Sequence, residues 1–117
     1  MSFAIERDTD RTGKTTYLLL SGVFDRHAQR DLRRRLRDAF ARSQHGRVVL
    51  DVARVDELSG ECVETLLTGY TLALRGGYGF EITNARGNVR LLLEATGLCA
   101  PALYAPAWMS ESTADVA

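Results

Sequence analysis

The chain reads as an α/β domain: a single mixed, mainly parallel sheet of four or five strands with helices packed against it. Three observations predict this. Apolar stretches of strand character alternate with helical stripes, an order that favours parallel pairing through right-handed crossovers. The length, 117 residues, suits one hydrophobic core and not two. The composition, 45% hydrophobic and 26% charged, is that of an average globular protein and argues against a disordered chain.

Residues 3–7 alternate apolar and polar side chains, and residues 15–23 are rich in β-branched and aliphatic ones, so an opening pair of strands joined by a turn at Gly13 is expected. Over 27–42, Ala28, Leu32, Leu36, Ala39 and Phe40 recur at spacings of three and four, which predicts a helix with Asp25 as its N-cap. Val48, Val49 and Leu50 form a continuous apolar run, the mark of a central strand covered on both faces, and Asp51 is expected to end it. A second helix follows from about Glu61, with Val63, Leu66, Leu67, Tyr70 and Leu74 as its stripe and Gly76 and Gly77 as its stop. Residues 78–83 read as another strand. Asn84 and Asn88 are both candidate caps for a third helix carrying Val89, Leu92, Leu93 and Ala95 and ending at Gly97. Pro101 and Pro106 bracket a short candidate edge strand over 102–104. The expected domain spans 1–109, with 110–117 a flexible, small and polar tail.

Several chemistries are excluded by what the sequence lacks. No stretch approaches the length of about 18 apolar residues that spans a bilayer, and the first residues lack a secretory layout, so a cytoplasmic protein without direct membrane insertion is expected. The formal net charge is zero, which gives no general attraction to nucleic acid. Arg33, Arg34 and Arg35 are consecutive helical residues and point in three directions, as a solvated helix face would. Thr12-Gly13-Lys14-Thr15-Thr16 looks like the end of a phosphate-binding loop, but Asp8 holds the place of its first glycine and a strand follows, so a hairpin turn is the better reading. His27 and His45 fall at helix ends, Ser59-Gly60 lacks a nucleophile elbow, and Cys62 and Cys99 are not a Cys-x-x-Cys pair. The acids from Asp51 to Glu64 lack the spacing of a calcium loop. No catalytic residue, metal site or cofactor is therefore expected.

One segment carries more. Val48-Val49-Leu50-Asp51-Val52-Ala53-Arg54-Val55-Asp56-Glu57-Leu58-Ser59-Gly60-Glu61-Cys62-Val63-Glu64-Thr65-Leu66-Leu67 resembles the STAS domain, the fold shared by bacterial anti-anti-sigma factors and the cytoplasmic tails of sulphate transporters. Asp51, Val55, Leu58, Val63, Leu66 and Leu67 fit that family's pattern without gaps. Ser21-Gly22-Val23-Phe24-Asp25 looks like its entry into the first helix, and the segment from Val89 to Leu98 like its third helix.

The resemblance implies a non-enzymatic regulatory module that docks an anti-sigma factor or a related kinase or regulator, in the partner switching that governs transcription. The implied contact surface is the loop and helix start at 55–65, with Asp56, Glu57, Leu58, Ser59, Gly60, Glu61 and Glu64 as its residues. In the family, phosphorylation of a serine at the helix start breaks the contact. Here Glu61 occupies the acceptor position, Gly60 that of the preceding serine and Ser59 that of the Asp, so the usual switch is expected to be missing and Ser59 is the remaining candidate for phosphorylation. Glu61 has two readings: a mimic of the phosphorylated state, or an acid that complements the helix dipole by about 0.3 to 1 kcal/mol. The alternative role is a structural or regulatory subunit of a membrane lipid transport complex, with a transporter subunit as partner.

Overall fold

The computed structural model describes residues 2–43 and 46–98. The expected turn is built by the side chain of Asp10, whose Oδ1 accepts from the Thr12 hydroxyl at 3.0 Å and from the amides of Lys14 and Thr15 at 3.2 and 3.3 Å. Gly13 takes a φ of 74° and donates its amide to the Asp10 carbonyl. This turn joins β1 (Phe3–Thr9) to β2 (Thr15–Phe24) in an antiparallel pair, so the segment 12–16 is a hairpin connection.

From β2 the chain winds through α1 (Gln29–Ser43), β3 (Arg47–Leu58), α2 (Gly60–Gly76), β4 (Gly79–Thr83) and α3 (Gly87–Thr96). The described sheet has the order β1-β2-β3-β4, and β2, β3 and β4 run parallel. The predicted mixed, mainly parallel α/β architecture is therefore found, with four described strands. The candidate strand over 102–104, the tail over 110–117, His45 and Cys99 lie outside the described residues.

Four local expectations are corrected. β3 does not stop at Asp51. Up to Asp51 it is flanked on both sides, with β4 pairing from Arg47↔Gly79 to Asp51↔Thr83. Beyond that point it continues beside β2 alone, to Phe24↔Leu58, with register shifts at Leu19/Ser21 and Gly22/Val23. The helices cover one face only, so the run Val48–Leu50 did not mark a strand covered on both faces, and beyond Val52 the exposed Arg54, Asp56 and Glu57 made the second half look like a loop.

The first helix begins later than expected. Asp25 Oδ1 accepts from the amides of His27 and Ala28 at 2.9 and 3.3 Å, but these belong to a turn over 26–28 that precedes α1. In α2 the buried side is Cys62, Val63, Thr65, Leu66, Gly69 and Ala73, whereas Tyr70 and Leu74 are 39% and 66% exposed. Small residues turn inward because they let the helices approach closely: a Cβ on Gly69 would lie 3.5 Å from Leu36 Cδ1 and 3.8 Å from Phe40 Cε2. Neither asparagine caps α3. Arg86 is the N-cap without a side-chain bond, its guanidinium instead donating to the Ala53 carbonyl at 2.8 Å, and Asn84 takes a φ of 64°.

All three helices contribute to one core against a single face of the sheet. Leu18 and Leu20 of β2, Val48, Leu50 and Val52 of β3 and Ile82 of β4 meet Leu32 and Leu36 of α1, Cys62 and Leu66 of α2, and Val89 and Leu93 of α3. Each fully buried aliphatic side chain contributes about 1.5 to 3 kcal/mol of transfer free energy. The three consecutive arginines do diverge: Arg34 pairs with Asp31, Arg35 donates to the Ile5 carbonyl, and Arg33 faces α2. No described helix is long and apolar enough to cross a membrane.

Candidate functional site

At the ends of two adjacent parallel strands, β2 and β3, the chain turns into α1 and α2, and the two turns are tied together. The Ser59 amide donates to the Phe24 carbonyl at 2.8 Å, extending the β2–β3 ladder by one bond beyond Leu58. The Ser59 hydroxyl oxygen accepts from the Cys62 amide at 3.2 Å, which makes Ser59 the N-cap of α2. The Cys62 thiol then donates to the Asp25 carbonyl at 3.3 Å. Four residues from two turns thus share one hydrogen-bonded junction.

The seven residues expected to form the surface are distributed along this junction. Asp56, Glu57 and Leu58 are the last residues of β3 and not a loop. Ser59 is the cap, Gly60 and Glu61 open α2, and Glu64 lies one turn further on. Asp56, Glu57, Gly60, Glu61 and Glu64 are exposed, whereas Leu58 and Ser59 are half-buried and Leu58 packs against the core. The ungapped placement of Ser59 at an Asp position suits this geometry, because both residue types cap a helix well. It leaves Glu61 exposed in the first helical turn, where a carboxylate complements the partial positive charge of the helix start.

Among the described residues, the ion pairs are Arg34 with Asp31, Arg47 with Glu81 and Arg90 with Glu94. Asp56, Glu57, Glu61 and Glu64 are in none of them. Among the described residues these four acids lack an ion-pair partner, which leaves negative charge exposed at the end of β3 and the start of α2, a field that salt screens over about 10 Å at 0.1 M.

Cys62 and Asp25 were missing from the expected set. Their signal in the sequence was thin, since Cys62 reads as a small apolar residue and Asp25 as a helix cap. Burial pushes the Cys62 thiol above its ordinary pKa; the Ser59 hydroxyl works against this, and the charges of Asp25 and Glu61 add to it. A thiol so placed is held protonated, which opposes nucleophilic chemistry at this cysteine. Among the described residues, no group of three or more His, Cys, Asp or Glu is placed to hold a metal ion.

Residues 8–103 match the family model described as "Mlab, STAS domain". No curated protein matches the chain. The solved structures it is similar to include the anti-sigma factor antagonist SpoIIAA in its unphosphorylated form, at a TM-score of 0.69 and 19% identity over 87% of this chain and 92% of that one. An anti-sigma factor antagonist from Mycobacterium paratuberculosis gives 0.71 and 22% over 83% and 80%. The Bacillus cell fate determinant SpoIIAA in its phosphorylated form gives 0.67 and 18% over 87% and 96%. At these identities the likeness establishes the shared fold.

Proposed function

The chain belongs to the STAS domain family, and we propose that it is a cytoplasmic, non-enzymatic regulatory module of the anti-sigma factor antagonist type, docking its partner through the end of β3 and the start of α2. One observation carries this reading: Asp56, Glu57, Glu61 and Glu64 stand exposed and unpaired on a junction fastened by Ser59, Phe24, Cys62 and Asp25. A rigid, charged surface reduces the ordering cost of association and selects a partner of opposite charge. The partner is an anti-sigma factor or a related kinase or regulator with a basic patch.

Control differs from a serine switch. A serine kinase cannot modify Glu61, whose charge is permanent, so docking is constitutive or set from the partner's side. Ser59 is the one hydroxyl at the junction, and its oxygen already serves the helix cap.

The same permanent charge favours a second reading, a structural or regulatory subunit of a membrane lipid transport complex, in which the surface is always occupied. Affinity capture with the wild-type chain and with Glu61→Lys separates the two. A kinase-like regulator retained by the wild type and lost with Glu61→Lys supports the first reading; transporter subunits in its place support the second. Incubation of the captured kinase with ATP, followed by mass mapping, tests the missing switch, and phosphate on Ser59 would overturn it.

A further inference from the structure

A second surface lies away from the strand ends, along the seam between α1 and α2. The seam opens into a groove of about 200 Å³ with Leu36, Phe40 and Gly69 at its floor and Leu72 at its lip. Its depth follows from sequence, since Gly69 has no side chain to fill the space between the helices. Leu72 is 54% exposed, a large aliphatic side chain left in water beside an apolar floor.

The α1 lip carries Arg33 and Arg37, one helical turn apart and both exposed. Neither forms an ion pair with any described residue, whereas their neighbours Arg34 and Arg35 are held by Asp31 and by the Ile5 carbonyl. Two unengaged guanidiniums beside an apolar trough are complementary to a ligand with acids on one edge and an apolar face. Their separation along α1, about 6 Å from four residues of helical rise, is that of two carboxylates at i and i+4 on another helix. Guanidinium and carboxylate also match in fork geometry. On the opposite lip stands Glu64, so the groove is cationic along its α1 edge only and suits a ligand that carries its acids on that edge alone.

We propose that this groove docks an acidic amphipathic helix of a partner protein, with one apolar side chain over Leu36, Phe40 and Leu72 and two carboxylates on Arg33 and Arg37. The inference does not rest on docking at the start of α2: the two surfaces share Glu64, and Glu61, which does not line the groove, separates them.

The test uses the whole chain, isotopically labelled for NMR. The probe is a synthetic helical peptide carrying two glutamates four residues apart beside a leucine, at up to about 1 mM, the range of weak complexes. Saturable shifts concentrated at Arg33, Phe40, Gly69 and Leu72 are expected. The double variant Arg33→Glu with Arg37→Glu should weaken binding at least tenfold while thermal unfolding is unchanged, and Arg33→Gln with Arg37→Gln gives the same reading without charge reversal. Glu61→Lys should leave peptide affinity unchanged. The proposal is overturned if the shifts are absent or centre on residues 56–61, if a peptide with lysines for glutamates binds equally, or if phosphatidylglycerol vesicles produce the same shifts.

Discussion

The amide of Ser59 donates to the carbonyl of Phe24 at 2.8 Å, so the residue that caps α2 is fastened through its backbone to the end of β2. Ser59→Ala keeps that bond and removes only the side-chain cap. A loss of about 1 kcal/mol is expected. For a domain of this size that lowers the midpoint of thermal unfolding by about 4 °C, measurable by circular dichroism, while Ser59→Asp should retain the wild-type midpoint.

Glu61 tests the electrostatics of the same turn. Glu61→Gln removes a favourable charge at the helix start and should cost about 0.3 to 1 kcal/mol at low salt, with Glu61→Lys costing more. Denaturation at low and at high ionic strength checks this. The difference from wild type should shrink as salt rises, because the residue is exposed.

Cys62 gives a prediction with a defined sign. Burial raises its folded-state pKa, so above the ordinary thiol range, at about pH 8.5, the unfolded chain loses a proton that the folded chain keeps. Stability contributed by this group is present below that pH and declines as pH rises through and beyond it. Cys62→Ala should flatten the alkaline limb of the stability profile. Alkylation followed by peptide mapping should find Cys62 unmodified at neutral pH until the protein is unfolded.

Asp10 has the opposite sign. Desolvation pushes its pKa up, but the bonds from the Thr15 amide and the Thr12 hydroxyl, with the Gly13 amide close by, outweigh it and hold the group below the ordinary carboxylate range. Its contribution is present above the unfolded value, about 3.9, and is lost as pH falls through the lower folded one. Asp10→Asn should destabilise the hairpin at neutral pH and reduce the acid dependence of unfolding, followed by urea titration across pH.

Gly22 is the position least open to change at this end of the sheet. Its φ is 94°, and a Cβ there would stand 2.3 Å from the Ser2 carbonyl oxygen. Gly22→Ala combines backbone strain with a clash against main chain, and a loss of roughly 2 to 4 kcal/mol is expected from urea unfolding.

The elements were legible where one neighbour type prevails along the whole element. The α1 stripe of Leu32, Leu36, Ala39 and Phe40 is buried as its spacing predicts, and Gly77 and Gly97 end their helices with φ of 77° and 82°. Reading failed where the environment changes midway. Residues 52–58 pass from buried Val52 to exposed Asp56 and Glu57, so their polarity concealed a strand, and the inward side of α2 includes Cys62, Gly69 and Ala73, which are small. Within the candidate site, Ser59 and Glu61 were visible as helix-start residues. The thiol bond from Cys62 to the Asp25 carbonyl joins residues far apart in the chain, and no spacing rule announces it.

The strand order β1-β2-β3-β4 has a kinetic consequence. Each strand lies beside its successor in the chain, so the described sheet can grow outward one strand at a time, and every pairing after the hairpin closes a loop no longer than one helical crossover. Loop closure of that length costs little more than that of a shorter one, and contacts of such short range favour fast folding. The junction of Phe24, Asp25, Ser59 and Cys62 is complete once β3 and the first turn of α2 have added to β2, before β4 is required.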